Sequence, residues 1–224
     1  MEGDIKGCFD NIIHNWLEKN IPLPETILRK WLGAGYIWKN IRHETENGTP
    51  QGGIISPVLA NMTPDGMERL INRKDRREKV HFVRYAYDFI ISGESREILE
   101  KEVRPAVENF LKERGLELSE DKTRITHIEK GFNFLGFNLR KYDDKLLIKP
   151  SEKSLNGIIG KIRQTVRKNR HVKTERLIGL LNPMIRGWTN YFRHVVSKET
   201  FAKLGSLIRS SVWNRAVKRH PTKS

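Results

Sequence analysis

His81-Phe82-Val83-Arg84-Tyr85-Ala86-Tyr87-Asp88-Phe89-Ile90-Ile91-Ser92-Gly93 carries the strongest strand signal in the chain. Two runs rich in β-branched and aromatic residues flank a short interruption, which predicts two short strands around a tight turn. Asp88 falls at that turn, where acids are common because their side chains bond nearby backbone. Downstream, Glu97 to Arg114 predicts an amphipathic helix with Leu99, Val103, Val107, Phe110 and Leu111 on its apolar side and Gly115 closing it. Upstream, Pro57 to Ile71 predicts a helix complicated by Pro64, residues 44–57 (ETENGTPQGGIISP) a Gly/Pro-rich loop, and Pro24 to Asn40 a further helix. Beyond the hairpin, Phe132, Phe134, Phe137 and Leu139 alternate, with a phase slip at Leu135-Gly136 that predicts a bulge. Strands and helices mixed in this way indicate an α+β sheet domain.

The rest of the chain reads as all helix. Leu155, Ile158, Ile159, Ile162 and Val166 form one apolar stripe, with Lys161, Arg163, Arg167 and Lys168 off it. A second helix starts near Thr174 and is expected to break at Asn182-Pro183, because proline lacks the backbone donor. A new helix capped by Asn182 would carry Ile185, Trp188 and Phe192, and a last one Phe201, Leu204, Ile208 and Val212. Trp188, Tyr191 and Phe192 could stack on bases, although aromatics at helical spacing are more often core.

The charge of the 224-residue chain is concentrated in this part. The total is 42 Lys+Arg against 27 Asp+Glu, a net of +15. Residues 1–144 hold 23 against 24, a net of −1, and residues 145–224 hold 19 against 3, a net of +16. One near-neutral domain (1–144) and one polyanion-binding domain (145–224) are expected, with the boundary at the turn-rich Lys141–Lys145. The single Cys8 excludes an internal disulfide framework and a cysteine-built zinc site. The sequence has no run of about 18 apolar residues and no signal peptide, so a soluble, cytoplasmic protein without a membrane partner is expected.

Four segments carry candidate chemistry. In Asp4-Ile5-Lys6-Gly7-Cys8-Phe9-Asp10, an acid at a strand end could hold a divalent metal through carboxylate oxygen, or simply make a turn. In Gly48-Thr49-Pro50-Gln51-Gly52-Gly53, paired glycines let a backbone approach a ligand closely. The third is Arg84–Phe89 with Asp88. The fourth is Gly115–Thr123 (GLELSEDKT), where Lys122 could face a phosphate or water.

Taken in order, DIKGCFDNI, TPQGGIISPVLANM, RYAYDFI, GLELSEDKTRITHIEKGFNFLGF and LLNPMIRGWTNYFRHVVSKETF resemble the bacterial group II intron reverse transcriptase/maturase family. The resemblance implies a polymerase-type palm, an antiparallel sheet with packed helices, followed by an all-helical thumb/maturase bundle. It implies an RNA-directed DNA polymerase that also assists intron RNA splicing and mobility. Its cofactor would be Mg²⁺ in a two-metal site, and its partners intron RNA, an RNA template with DNA primer, and deoxynucleoside triphosphates. Asp4 and Asp88 would be catalytic metal ligands, helped by the carbonyl of Ile5, with Lys122 a donor near the triphosphate. Phe9 would sit under the nucleotide sugar, while Pro50, Gln51, Gly52 and Gly53 would pack against nucleotide and template. Phe134, Leu135, Gly136 and Phe137 would grip the primer. Lys161, Arg163, Arg167, Lys168, Arg170, Lys173, Arg186 and Arg193 are candidate contacts to RNA phosphates.

The pattern breaks at Tyr87, which occupies the first acidic position of the family's YADD hairpin. A phenol with a pKa near ~10 is a poor Mg²⁺ ligand. The family's fingers region, which precedes the first acidic motif, is not present in these 224 residues. A truncated copy impaired in polymerisation is therefore expected. An RNA-binding splicing factor without polymerase activity, or an inactive remnant, are the alternatives.

Overall fold

A computed structural model of the chain describes residues 1–50, 52–72 and 79–219. They form two compact units, Met1–Ile125 and Thr126–Ser224.

The first unit is built on a four-stranded antiparallel sheet. Its strands are β1 (Glu2–Lys6), β4 (His81–Tyr85), β5 (Asp88–Ser92) and β6 (Glu117–Leu118), in the order β4-β5-β1-β6. The hairpin expected at 81–93 is present, with Tyr85 paired to Asp88 across the two-residue turn Ala86-Tyr87. Ala86 takes a positive φ of 55° there. β1 inserts beside β5 with Gly3 opposite Phe89 and Asp4 opposite Asp88. Gly3 is required at that register, because a Cβ would stand 2.2 Å from the Phe89 ring.

Helices cover the sheet: α1 (His14–Asn20), α2 (Glu25–Gly33), α3 (Ser56–Met62), α4 (Met67–Ile71), α5 (Arg96–Ile98) and α6 (Arg104–Lys112). Ile12, Leu17, Leu28, Leu59, Met67, Ile71, Ile91, Val107 and Leu111 close the core without solvent exposure. α5 and α6 are joined through a wide π turn, Leu99–Val103, in which the Arg104 N–H reaches the Leu99 carbonyl. Pro105 supplies no N–H for a regular turn at this point, so the widened turn is a physical accommodation of proline that keeps Leu99 and Val103 buried. The helix expected from Pro57 to Ile71 is divided, α3 ending at Met62 and α4 starting after Pro64 and the left-handed Gly66.

The helix expected to reach Asn40 stops at Gly33. A small hairpin follows, β2 (Tyr36–Trp38) and β3 (Ile41–His43). Lys39 and Asn40 both have positive φ, the backbone of a two-residue hairpin turn.

The second unit opens with a three-stranded antiparallel sheet, β7 (Phe132–Phe134), β8 (Phe137–Tyr142) and β9 (Lys145–Pro150). The phase slip at Leu135-Gly136 is a hairpin turn rather than a bulge. Both residues have positive φ and Phe134 pairs with Phe137. The Lys141–Lys145 segment is likewise the turn of the β8–β9 hairpin, so strand structure continues past Asp144. Three helices follow: α7 (Glu152–Lys168), α8 (Thr174–Phe192) and α9 (Lys198–Arg219). α8 runs unbroken through Pro183. Proline leaves the Gly179 carbonyl without its helical donor, but Gly179, Asn182 and Pro183 lie on the exposed face where water can serve it. Leu177 and Leu181 before the proline, and Met184, Ile185 and Trp188 after it, pack into one core with Leu155, Ile158, Ile162, Val166 and Leu204.

Candidate functional site

The Asp4–Asp88 register places two carboxylates opposite each other on adjacent strands. Asp4 is buried and Asp88 half-buried. Burial first, and then the neighbouring Asp4 carboxyl, push Asp88 above its ordinary carboxylate value, while Lys122 opposes the shift. Lys122 Nζ donates to Asp4 Oδ2 at 2.9 Å. The Asp4 carboxylate in turn holds the exposed Lys122 ammonium above its ordinary value. The Lys122 loop is fixed to β1 by backbone bonds: Ser119 N–H donates to the Asp4 carbonyl (2.8 Å), and Lys122 and Thr123 N–H both donate to the Ser119 carbonyl (3.2 and 2.8 Å).

A cleft of about 520 Å³ opens at this point, lined by Asp4, Ile5, Phe9, Gly52, Tyr87 and Lys122, together with Cys8, Pro57 and Ser119. The glycine-rich loop is docked onto the first acidic segment. Thr49 N–H donates to the Phe9 carbonyl at 2.6 Å and Gly48 N–H to the Ile12 carbonyl at 2.7 Å. Gly48 has φ +73°, and a Cβ there would meet the Phe9 carbonyl oxygen at 2.3 Å. Pro50 and Gly53 form the next turn, with the Pro50 carbonyl accepting from Gly53 N–H (3.0 Å) and Ser56 Oγ (2.8 Å). Gln51 lies outside the described residues.

Tyr87 stands at the tip of the β4–β5 turn, half-exposed, with its ring edge-on to Phe9 at 6.4 Å between centroids. Arg84, which sequence reasoning missed, holds this turn. Its guanidinium donates to the Ala86 carbonyl (3.0 Å) and to Asn61 Oδ1 (2.9 Å), and pairs with Asp65. Ser119 was also missed, since a serine in a polar loop carries no distinguishing signal. Cys8 is buried against the Ala60 carbonyl, and burial pushes its thiol up to about 11, so it is an inert wall of the cleft.

The donor set can be compared with what Mg²⁺ needs. Among the described residues no group of three His, Cys, Asp or Glu side chains converges, and one oxygen of Asp4 is already engaged by Lys122. Two divalent ions held about 4 Å apart need more shared carboxylate oxygen than Asp4 and Asp88 supply. These residues do not fit a two-metal centre.

In the second unit, Phe134–Phe137 form the β7–β8 turn. The Leu135 carbonyl accepts from Tyr191 Oη at 2.9 Å, and Phe137 stacks on Tyr191 (5.1 Å) and meets Phe192 edge-on (4.9 Å). Phe192 is core, and Trp188 Nε1 donates to Ser154 Oγ (3.1 Å). Only Tyr191 of the three aromatics exposes half its surface. Lys161, Arg163, Arg167, Lys168, Arg170, Lys173, Arg186 and Arg193 are all exposed. Arg163, Arg167 and Arg170 line one cleft of this unit and Lys161 another.

Residues 1–139 match the family model described as reverse transcriptase (RNA-dependent DNA polymerase). The chain belongs to the reverse transcriptase family. Residues 155–224 match the group II intron maturase-specific domain, so this reverse transcriptase is of the intron type. It is similar to the group II intron-encoded protein LtrA of Lactococcus lactis subsp. cremoris, 31% identical over 210 residues that cover 62% of this chain and 34% of LtrA. It is similar also to protein YkfC of Escherichia coli strain K12, 29% identical over 214 residues that cover 73% of this chain and 55% of YkfC. A third relative is an uncharacterized 91 kDa protein in a cob intron of Schizosaccharomyces pombe, 27% identical over an alignment of 292 positions, gaps included, that covers 90% of this chain and 35% of that one. The chain thus spans about a third of LtrA and about half of YkfC. A structure of telomerase from Candida albicans with a telomeric RNA fragment superposes at TM-score 0.48 and 14% identity, over 97% of this chain and 43% of that one, a likeness too slight to bear on the fold. Reverse transcriptases generally use Mg²⁺. No described helix is long and apolar enough to cross a membrane.

Proposed function

We propose that this chain serves a group II intron as a reverse transcriptase/maturase whose nucleotidyl transfer is impaired, with binding of intron RNA in the cytoplasm as its principal work. The observation that carries the reading is the cleft in which Asp4, Phe9 and Lys122 meet Tyr87 instead of a third carboxylate. Lys122 would orient a triphosphate, Phe9 would underlie the sugar, and the Gly52-Gly53 turn would leave room for the base pair. Phe134–Phe137 would meet the primer end. None of these groups replaces the missing acid, so template, primer and deoxynucleotide would be held better than they are joined.

The +16 carried by residues 145–224 supports the RNA-binding half of the reading, since phosphate contacts dominate such affinity and weaken steeply with salt. The test is splicing of a self-splicing group II intron RNA at limiting Mg²⁺, with and without the protein. Faster splicing, lost at high salt, is expected. An unchanged rate together with undetectable RNA binding would overturn the maturase reading.

A further inference from the structure

The second unit contains a cleft of about 460 Å³ with an unusual lining. Arg163 and Arg167 enter it from α7 and Arg170 from the turn that follows, while Arg215, Lys218 and Arg219 enter it from the last turns of α9. No Asp or Glu is among the described residues that line it. Six cations around one concavity repel one another, and low-dielectric walls focus their field outward.

Arg215 makes the site more than a basic surface. It is 8% exposed, and burying a guanidinium without a carboxylate is costly. Its Nη2 donates to the Val172 carbonyl at 2.5 Å, and Arg219 Nη1 donates to the same oxygen at 2.7 Å. One neutral acceptor therefore holds two guanidinium groups side by side. The Nε of Arg215 is buried and has no partner. The planar guanidinium fork matches phosphate oxygens two at a time, and the Asn214 amide adds a neutral donor to the same wall.

From this geometry we infer that the α7–α9 cleft is a phosphate subsite, built around Arg215 and Arg219, that takes a phosphodiester of structured RNA. The inference rests on the RNA-binding reading above and gives it an address. Phosphate binding is not spread evenly over the basic helices but converges on one cleft. Half of its cations, Arg215, Lys218 and Arg219, were not singled out in the sequence, because their convergence with α7 depends on long-range bonds to the Val172 carbonyl that no local pattern displays.

The test measures binding of the full chain to a labelled RNA hairpin across a salt series. The cleft variant Arg167→Gln/Arg170→Gln/Lys218→Gln is compared with a variant of equal charge change, Lys198→Gln/Lys203→Gln/Arg209→Gln, whose residues lie outside the cleft. The cleft variant is expected to lose roughly tenfold or more in affinity beyond the matched variant. Its slope of log affinity against log salt should fall by about one for each phosphate the cleft no longer neutralises. Equal losses in the two variants would overturn the subsite and leave RNA binding to the general charge. Inorganic phosphate competing at micromolar concentration would reassign the cleft to a free phosphate compound and overturn the RNA assignment. If the unmodified chain binds no RNA, the functional reading fails, and thermal stabilisation by phosphate then decides the cleft. Stabilisation lost only in the cleft variant keeps the anion site, and its absence in the unmodified chain overturns it. Arg215→Lys keeps the charge and removes the fork, and should reproduce most of the loss with an unchanged circular dichroism spectrum; undiminished binding would overturn the anchoring role.

Discussion

Lys122 Nζ lies 2.9 Å from Asp4 Oδ2, so the first acid of the cleft already holds a cation supplied by the chain itself. That ion pair must open before Asp4 Oδ2 can serve a divalent ion. Lys122→Met should therefore strengthen Mg²⁺ binding by roughly tenfold, because a positive charge a few ångströms away no longer repels the ion. Calorimetric titration with Mg²⁺ checks this, and equal affinity in the two proteins would show that the ammonium does not compete.

Asp88 gives a pH dependence of definite sign. Its folded value is raised above its ordinary one, by burial and then by Asp4. Between those two values the folded chain binds more protons than the unfolded chain, so stability falls as pH rises through that window. Above that window the charged Asp88 is a standing cost. Asp88→Asn should stabilise the protein above that window, by no more than about 1 kcal/mol, the scale of cross-strand side-chain pairs, and flatten the fall. Urea unfolding at several pH values reads both effects, and destabilisation above the window would contradict them.

Gly48 couples the glycine-rich loop to the acidic segment. Gly48→Ala would strain a left-handed backbone (φ +73°) and press a methyl group against the Phe9 carbonyl. A loss of about 1–3 kcal/mol in unfolding free energy is expected. A variant as stable as the parent would mean that this close approach is not maintained in solution.

Phe192 and Tyr191 separate packing from recognition. Phe192 is 2% exposed, whereas Tyr191 exposes half its surface and spends its hydroxyl on the Leu135 carbonyl. Phe192→Ala should cost about 3–5 kcal/mol and loosen the second unit, and Tyr191→Phe about 0.5–1.5 kcal/mol. Thermal unfolding distinguishes them, and the reverse ranking would contradict the assignment of Phe192 to the core.

Much of the site was legible because it follows short-range rules. The alternation in His81–Gly93 yields the hairpin, Asp4 and Lys122 sit in motifs of fixed order that meet in one cleft, and Asp88 lies opposite Asp4 on the next strand. What failed depends on backbone states that sequence pattern does not display. Leu135 and Lys39 take positive φ without being glycine, so two hairpin turns were read as a bulge and as helix. Pro183 was read as a break because its missing donor was weighed without the exposure of Gly179 or the packing on both sides of it. Arg84 and Arg215 act through long-range bonds to Asn61 and Val172, which no local pattern announces.

With Tyr87 at the hairpin turn, the palm cleft is short of a metal ligand. Primer extension on an RNA template, with all four deoxynucleotides and a Mg²⁺ series, reads the consequence. At most weak, non-processive extension is expected at any Mg²⁺ concentration. Robust, processive, Mg²⁺-dependent synthesis by the unmodified chain would contradict it.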